Sequence, residues 1–191
     1  MKKLVYVILS LLFIPFHACE KKNNHAAAYD NCCGTAPVAD EVTLLFPADS
    51  STTIGRIYVP NIFVPDTSAG AGQDQFFLVF GNDGVLQIEL FRLTSETGEV
   101  LHEESHFPAS LANAAWHGKK KDGSLYYGSF NYEVKVEFTD GQKKTYSGKA
   151  CSFECGAGGF PAQNLPECFF PGQNDGEGSP KPDFPYREEC F

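Results

Sequence analysis

Five apolar residues at alternate positions, Phe130, Tyr132, Val134, Val136 and Phe138, are separated by Asn131, Glu133, Lys135 and Glu137. A two-residue period puts the first set on one face of a β-strand and the second on the other. One face is apolar and one charged, the pattern of an antiparallel strand packed on a core with its back to water. The turn that follows, Thr139-Asp140-Gly141, admits two registers. A two-residue Asp-Gly loop would turn Lys143 and Lys149 towards the core. A three-residue loop, with Gly141 in the left-handed position of a G1 bulge, pairs Phe138 with Gln142 and Val134 with Tyr146. It leaves only Lys144 on the core side, close enough to the turn for its amine to reach water. Burying two lysines costs more than one bulge, so the three-residue loop is predicted. In that register Cys151 and Phe153 face away from the core, free to meet another segment.

The same reading extends along the chain. Val42 to Phe46 is a short strand stopped by Pro47. Ile57-Tyr58-Val59 and Ile62-Phe63-Val64 flank Pro60, which suits an edge strand or a bulge because it cannot donate to a ladder. Phe76 to Phe80 is a continuous apolar run. Leu86, Ile88 and Leu90 alternate with Gln87 and Glu89. A weaker strand over Val100 to Ser105 follows the turn at Glu96-Thr97-Gly98. No amphipathic helix is legible. Six prolines and six glycines in residues 156–191 argue against regular structure there, yet Phe160, Leu165, Phe169, Phe170, Phe184, Tyr186 and Phe191 are apolar. That segment reads as an irregular flap stapled over the domain. The expected fold is all-β: an immunoglobulin-like antiparallel β-sandwich with an irregular, disulfide-stapled C-terminal extension.

The N-terminus reads as an export signal. Lys2-Lys3 precede a 13-residue apolar run, Leu4 to Phe16. A run of that length fits a secretory h-region and is too short to span a bilayer, which needs roughly 20 residues. Phe16-His17-Ala18-Cys19 resembles a lipobox, where cleavage leaves a lipid-bearing cysteine first. Seven cysteines are present, and assigning Cys19 to lipid leaves six: Cys32, Cys33, Cys151, Cys155, Cys168 and Cys190. In an oxidising compartment these can form disulfides. Adjacent cysteines rarely bridge each other, so Cys32 and Cys33 are each expected to bond to the C-terminal group, whose other two members pair together. The version favoured ties 32 and 33 to 151 and 155, with 168 bonded to 190. A zinc site from Cys151, Cys155 and Cys168 is the rejected alternative, because its spacing is not that of a standard finger or ribbon. Lys2 and Lys3 are the only charged side chains before residue 19, so cleavage takes the formal charge from −9 to −11. Such a chain repels phosphate backbones, and nucleic acid is not expected as a partner.

Several motifs, in order, resemble the gliding motility-associated C-terminal domain, the type B sorting domain of the type IX secretion system of Bacteroidota. Its opening strand is echoed by Ile57-Tyr58-Val59-Pro60-Asn61-Ile62-Phe63-Val64-Pro65-Asp66. Further echoes are Ile88-Glu89-Leu90-Phe91-Arg92, Trp116-His117-Gly118 and Gly128-Ser129-Phe130-Asn131-Tyr132-Glu133-Val134. The resemblance covers about half the chain, Ile57 to Phe153. It implies an immunoglobulin-like sandwich in an envelope protein, and it makes Trp116 a core plug rather than an exposed platform. The family's acidic loop is replaced here by Asp66 to Gln73, which has lost oxygens that could hold calcium. In the family this domain usually ends the chain, whereas 36 residues follow Cys155 here.

No motif for catalysis emerges. Gly-x-Ser-x-Gly and a phosphate loop are missing from the sequence. His102 and His106 on one strand would lie some 13 Å apart, at about 3.3 Å per residue, too far to share an ion. They and His117 read as surface histidines. The expected organisation is a signal peptide over 1–18, a lipidated tether over 19–41, the sandwich over 42–155 and the extension over 156–191. The expected function is that of an outer-membrane lipoprotein, facing the periplasm or the exterior. It is held to the membrane by its lipid, and its module recognises, adheres to or scaffolds envelope proteins or surface glycans. No cofactor is expected. The alternatives are cargo of type IX secretion or gliding with a sorting-like domain, and an uncharacterised hydrolase.

Overall fold

The structure is a computed structural model that describes residues 29, 32–33, 35–65, 75–108, 115–154 and 167–181. Among the described residues it has ten strands: β1 (Val38–Phe46), β2 (Ser51–Val59), β3 (Ile62–Phe63), β4 (Phe77–Leu78), β5 (Phe80–Gly81), β6 (Val85–Ser95), β7 (Val100–Glu104), β8 (Ala115–Trp116), β9 (Gly128–Phe138) and β10 (Lys143–Ser152). They form a β-sandwich. One sheet has the order β1-β2-β5 and the other β3-β10-β9-β6-β7, with a small β4-β8 ribbon beside them. Every pairing is antiparallel except the short β3–β10 contact.

The alternation from Phe130 to Phe138 carries the centre of this fold. Phe130, Tyr132, Val134, Val136 and Phe138 are all buried, and the residues between them are partly exposed. The hairpin takes the three-residue loop. Tyr146 pairs with Val134, the Phe138 N–H donates to the Gln142 carbonyl at 2.8 Å, and Gly141 has φ +86°. Lys144 is on the core side as expected, and its amine reaches Asp40 of β1 at 3.0 Å. Tyr146 donates to the same carboxylate at 2.8 Å. Burial alone would push the Asp40 carboxyl up. The bonds from Tyr146 and Lys144 outweigh it and hold the group below its ordinary range.

Between the sheets lies an aromatic core. Phe77 meets Phe130 edge-on at 5.0 Å, and Trp116 meets Phe63 at 5.4 Å and Phe130 at 5.3 Å. Trp116 is buried, with its indole N–H donating to the Lys119 carbonyl at 3.0 Å. The tryptophan is therefore a core plug. Offset and edge-on ring contacts of this kind each add about 0.5–1.5 kcal/mol beyond the area they bury.

Three sequence expectations change. β6 does not keep strict alternation. Its register on β9 slips between Val85 and Gln87 and again between Ile88 and Leu90. Each bulge inserts one residue and reverses the phase. The buried set is Val85, Ile88, Phe91, Leu93 and Ser95, and Leu86 is 52% exposed. β1 begins at Val38 and not at Val42, so the segment read as a tether over 19–41 supplies part of a strand. Pro60 lies on neither an edge strand nor a bulge. It sits at the step where the chain leaves the β1-β2-β5 sheet at Val59 and joins the other sheet at Ile62, a place where no ladder bond is asked of it.

Candidate functional site

The outer side of β3 and β10 carries a second buried cluster, separate from the sandwich core. It contains Tyr29, Cys32, Cys33, Ile62, Val64, Cys151, Phe153, Cys168 and Phe170. The hairpin register explains it: with Ala150 facing inward opposite Phe130, Cys151 and Phe153 turn outward. The N-terminal segment and the flap at 167–181 cover them. Tyr29 packs edge-on against Phe153 at 4.8 Å, and its hydroxyl oxygen accepts the Glu154 N–H at 3.3 Å.

Asn61 knits these pieces together. Its side-chain amide donates to the carbonyls of Thr35 at 2.9 Å and Glu167 at 2.8 Å, and its oxygen accepts the Phe169 N–H at 2.7 Å. Its own N–H donates to the Phe169 carbonyl, and its carbonyl accepts the Cys151 N–H. At 1% exposure it is a buried polar group whose donors are all spent. The flap continues the seal. Phe169 packs on Tyr58, Leu78 and Phe80, and the Tyr58 hydroxyl donates to the Phe170 carbonyl at 3.1 Å.

Two disulfides fasten this junction, Cys32–Cys151 and Cys33–Cys168. Each adjacent cysteine thus reaches the C-terminal group. Cys33 takes φ +62°, a left-handed turn that separates the directions of neighbouring side chains. Cys32–Cys151 agrees with the favoured sequence scheme. Cys33 does not bond to Cys155, and the expected Cys168–Cys190 bond is corrected, because Cys168 holds Cys33. The reason is tertiary: the two hydrogen bonds between Asn61 and Phe169, one main-chain and one through the Asn61 side chain, place Cys168 over the turn at Cys33, an approach invisible in local spacing. With Cys151 and Cys168 oxidised, two of the three thiols of the rejected zinc site are consumed. Cys19, Cys155 and Cys190 lie outside the described residues, as does the loop from Asp66 to Asp74 with its calcium expectation.

Beside the flap is an open cleft of about 520 Å³, lined by Thr53 of β2, the turn Gly81-Asn82-Asp83-Gly84, and Gly176-Glu177 of the flap. Hydrogen bonds brace its walls. The Asn82 side chain accepts the N–H groups of Arg56 and Gly84 and donates to the Ile54 carbonyl. Asp175 accepts the N–H groups of Glu177 and Ser179. Arg56 of β2 contacts Glu41 of β1 at 2.9 Å and Glu177 of the flap at 3.5 Å. The cleft offers hydrogen-bond acceptors, the Asp83 and Glu177 carboxylates and the Thr53 hydroxyl. Both carboxylates are open to water.

The histidines are not equivalent. His106 and His117 are exposed. His102 is half-buried on β7, its ring edge-on to Phe91 at 5.2 Å. Its Nε2 is buried without a hydrogen-bond partner among the described residues, with the Glu104 carboxylate 3.9 Å away. Burial, and then repulsion from His117, push its pKa down. The surface reading is thus corrected for His102, because the bulge in the β6–β7 register at Leu93 and Thr94 sets its ring against Phe91. No group of three or more metal-ligating side chains occurs among the described residues. Comparison with protein families finds none that matches the chain, and comparison with curated proteins finds no similar one.

Proposed function

We propose that this chain is a lipid-anchored protein of the bacterial cell envelope whose β-sandwich serves recognition, adhesion or scaffolding and not catalysis. The observation that carries the reading is the fork at Cys32 and Cys33, thirteen residues after Cys19. There the segment leading from the lipobox-like cysteine is bonded at once to β10 and to the flap. Disulfides persist in oxidising compartments, which fits export directed by the apolar leader. A junction fastened twice fits a chain held to a membrane at its N-terminal end. The resemblance to the gliding motility-associated domain supports the same placement. The acceptor-lined cleft suits hydroxyl-bearing or ammonium-bearing groups, such as the edge of a surface glycan.

The test is Cys19→Ala in cells. The protein is expected to leave the membrane fraction or to stall unprocessed, and to lose incorporation of labelled fatty acid. Normal cleavage with unchanged membrane retention would overturn the anchor. Protease shaving of intact cells then assigns the membrane face.

A further inference from the structure

The bridges begin at neighbouring residues and end seventeen residues apart, at Cys151 and Cys168. Consider tension applied between the segment upstream of Cys32 and the segment downstream of Cys168. The shortest covalent route runs from Cys32 through one peptide bond to Cys33, across the disulfide to Cys168, and on. All of β1 to β10 lies off that route. Without bridges, force would enter β1 at Val38 and leave β10 at Ser152. Val38 pairs with Val59, the open end of the β1–β2 hairpin, and Ser152 pairs with Gly128, the open end of β9–β10. Ladder bonds run across the strands, so a pull at an open end loads them one pair at a time and unzips the hairpin. Only the two-residue β3, paired with Cys151 and Ser152, backs the second of these points.

We propose that Cys33–Cys168 carries tension past the sandwich, while Cys32–Cys151 keeps the sandwich fastened beside the tensioned segment. The two bonds have different tasks, and the module stays folded under loads that would peel its hairpins. The proposal rests on bond topology and stands whether or not Cys19 carries lipid.

Single-molecule extension of the chain, held by its two ends, tests it. The oxidised protein is expected to show no release of tens of nanometres. Reducing the folded wild-type protein in the trap should free the 135-residue span from Cys33 to Cys168, a gain close to 50 nm at about 3.6 Å per residue. Cys33→Ser reroutes tension through Cys32–Cys151 into the seventeen residues before Cys168, so a short step of at most about 6 nm is expected. Cys32→Ser should give no step. A release of tens of nanometres in the oxidised protein, or from Cys32→Ser alone, would overturn the proposal. The reduction experiment needs no variant, so a failure of either substitution to fold leaves the proposal open to refutation.

Discussion

Asn61 and His102 are two buried or half-buried polar side chains with opposite fates. Asn61 satisfies three backbone groups from the N-terminal segment and the flap. Asn61→Ala would leave the Thr35 and Glu167 carbonyls and the Phe169 N–H without their partner. These bonds are part-buried, so each counts at about its net worth of 0.5–1.5 kcal/mol, and a loss of roughly 2–4 kcal/mol is expected in denaturant unfolding, together with faster proteolysis of the flap. A change below about 1 kcal/mol would mean the knot is not structural. His102 has no such partner, and its pKa is depressed. The fold therefore prefers the neutral ring. The stability this gives is fully present above the unfolded pKa of about 6.5, and it falls as the pH drops from there towards the lower folded value. The wild-type protein should lose stability between about pH 7 and 5, and His102→Gln should flatten that slope. Equal slopes in both proteins would assign the acid sensitivity elsewhere. Neither role was legible in sequence. Asn61 stood in a strand motif, and His102 looked like any surface histidine, because both roles depend on segments remote along the chain.

At the scale of elements, the β9–β10 hairpin was legible and β6 was not, for a definite reason. In β9 the pattern repeats over the whole strand, and a slip by one residue would bury its charges, so local chemistry fixes the register. In β6 the bulges at Leu86 and Glu89 answer to pairing with β9 and to core shape, and alternation over a few residues cannot report them. The turn of β9–β10 also reaches beyond its own hairpin. Asp140 accepts the Leu45 N–H at 3.0 Å, and the Gln142 amide donates to the Thr43 carbonyl at 2.9 Å, so the turn covers the outer edge of β1. That edge would otherwise expose unpaired ladder groups. Gly141 makes this geometry possible. At φ +86°, with nothing within 4 Å of where a Cβ would stand, substitution meets backbone strain alone. Gly141→Ala should cost about 1–2 kcal/mol and Gly141→Asn less, since asparagine tolerates the left-handed region. Equal, negligible losses in urea titrations would show that the loop can take another conformation.

For the whole molecule, it was legible that both adjacent cysteines would cross to the C-terminal group, but the choice of Cys168 was not, since it depends on how the flap lands on Asn61. The resulting bridges are interleaved, and their energetics should not add. Cys32–Cys151 spans 119 residues and Cys33–Cys168 spans 135. In the unfolded chain either bond alone closes nearly the same long loop. Once one is made, the other closes only the residues between Cys151 and Cys168. Loop-closure entropy gives about 5 kcal/mol for a loop of roughly a hundred residues and about 3 kcal/mol for one of roughly fifteen. Removing one bridge, as Cys32→Ser with Cys151→Ser or as Cys33→Ser with Cys168→Ser, should therefore cost about 3 kcal/mol, because the long closure survives. Removing both should cost about 8 kcal/mol, roughly 2 kcal/mol more than the two single losses together. Since folded domains are stable by only about 5–15 kcal/mol, losing both bridges removes half or more of that stability even though the sandwich core is unchanged. Urea unfolding of the four forms, compared as a double-mutant cycle, measures the excess. If the double loss equals the sum of the single losses, the bridges act independently and the shared-loop account fails.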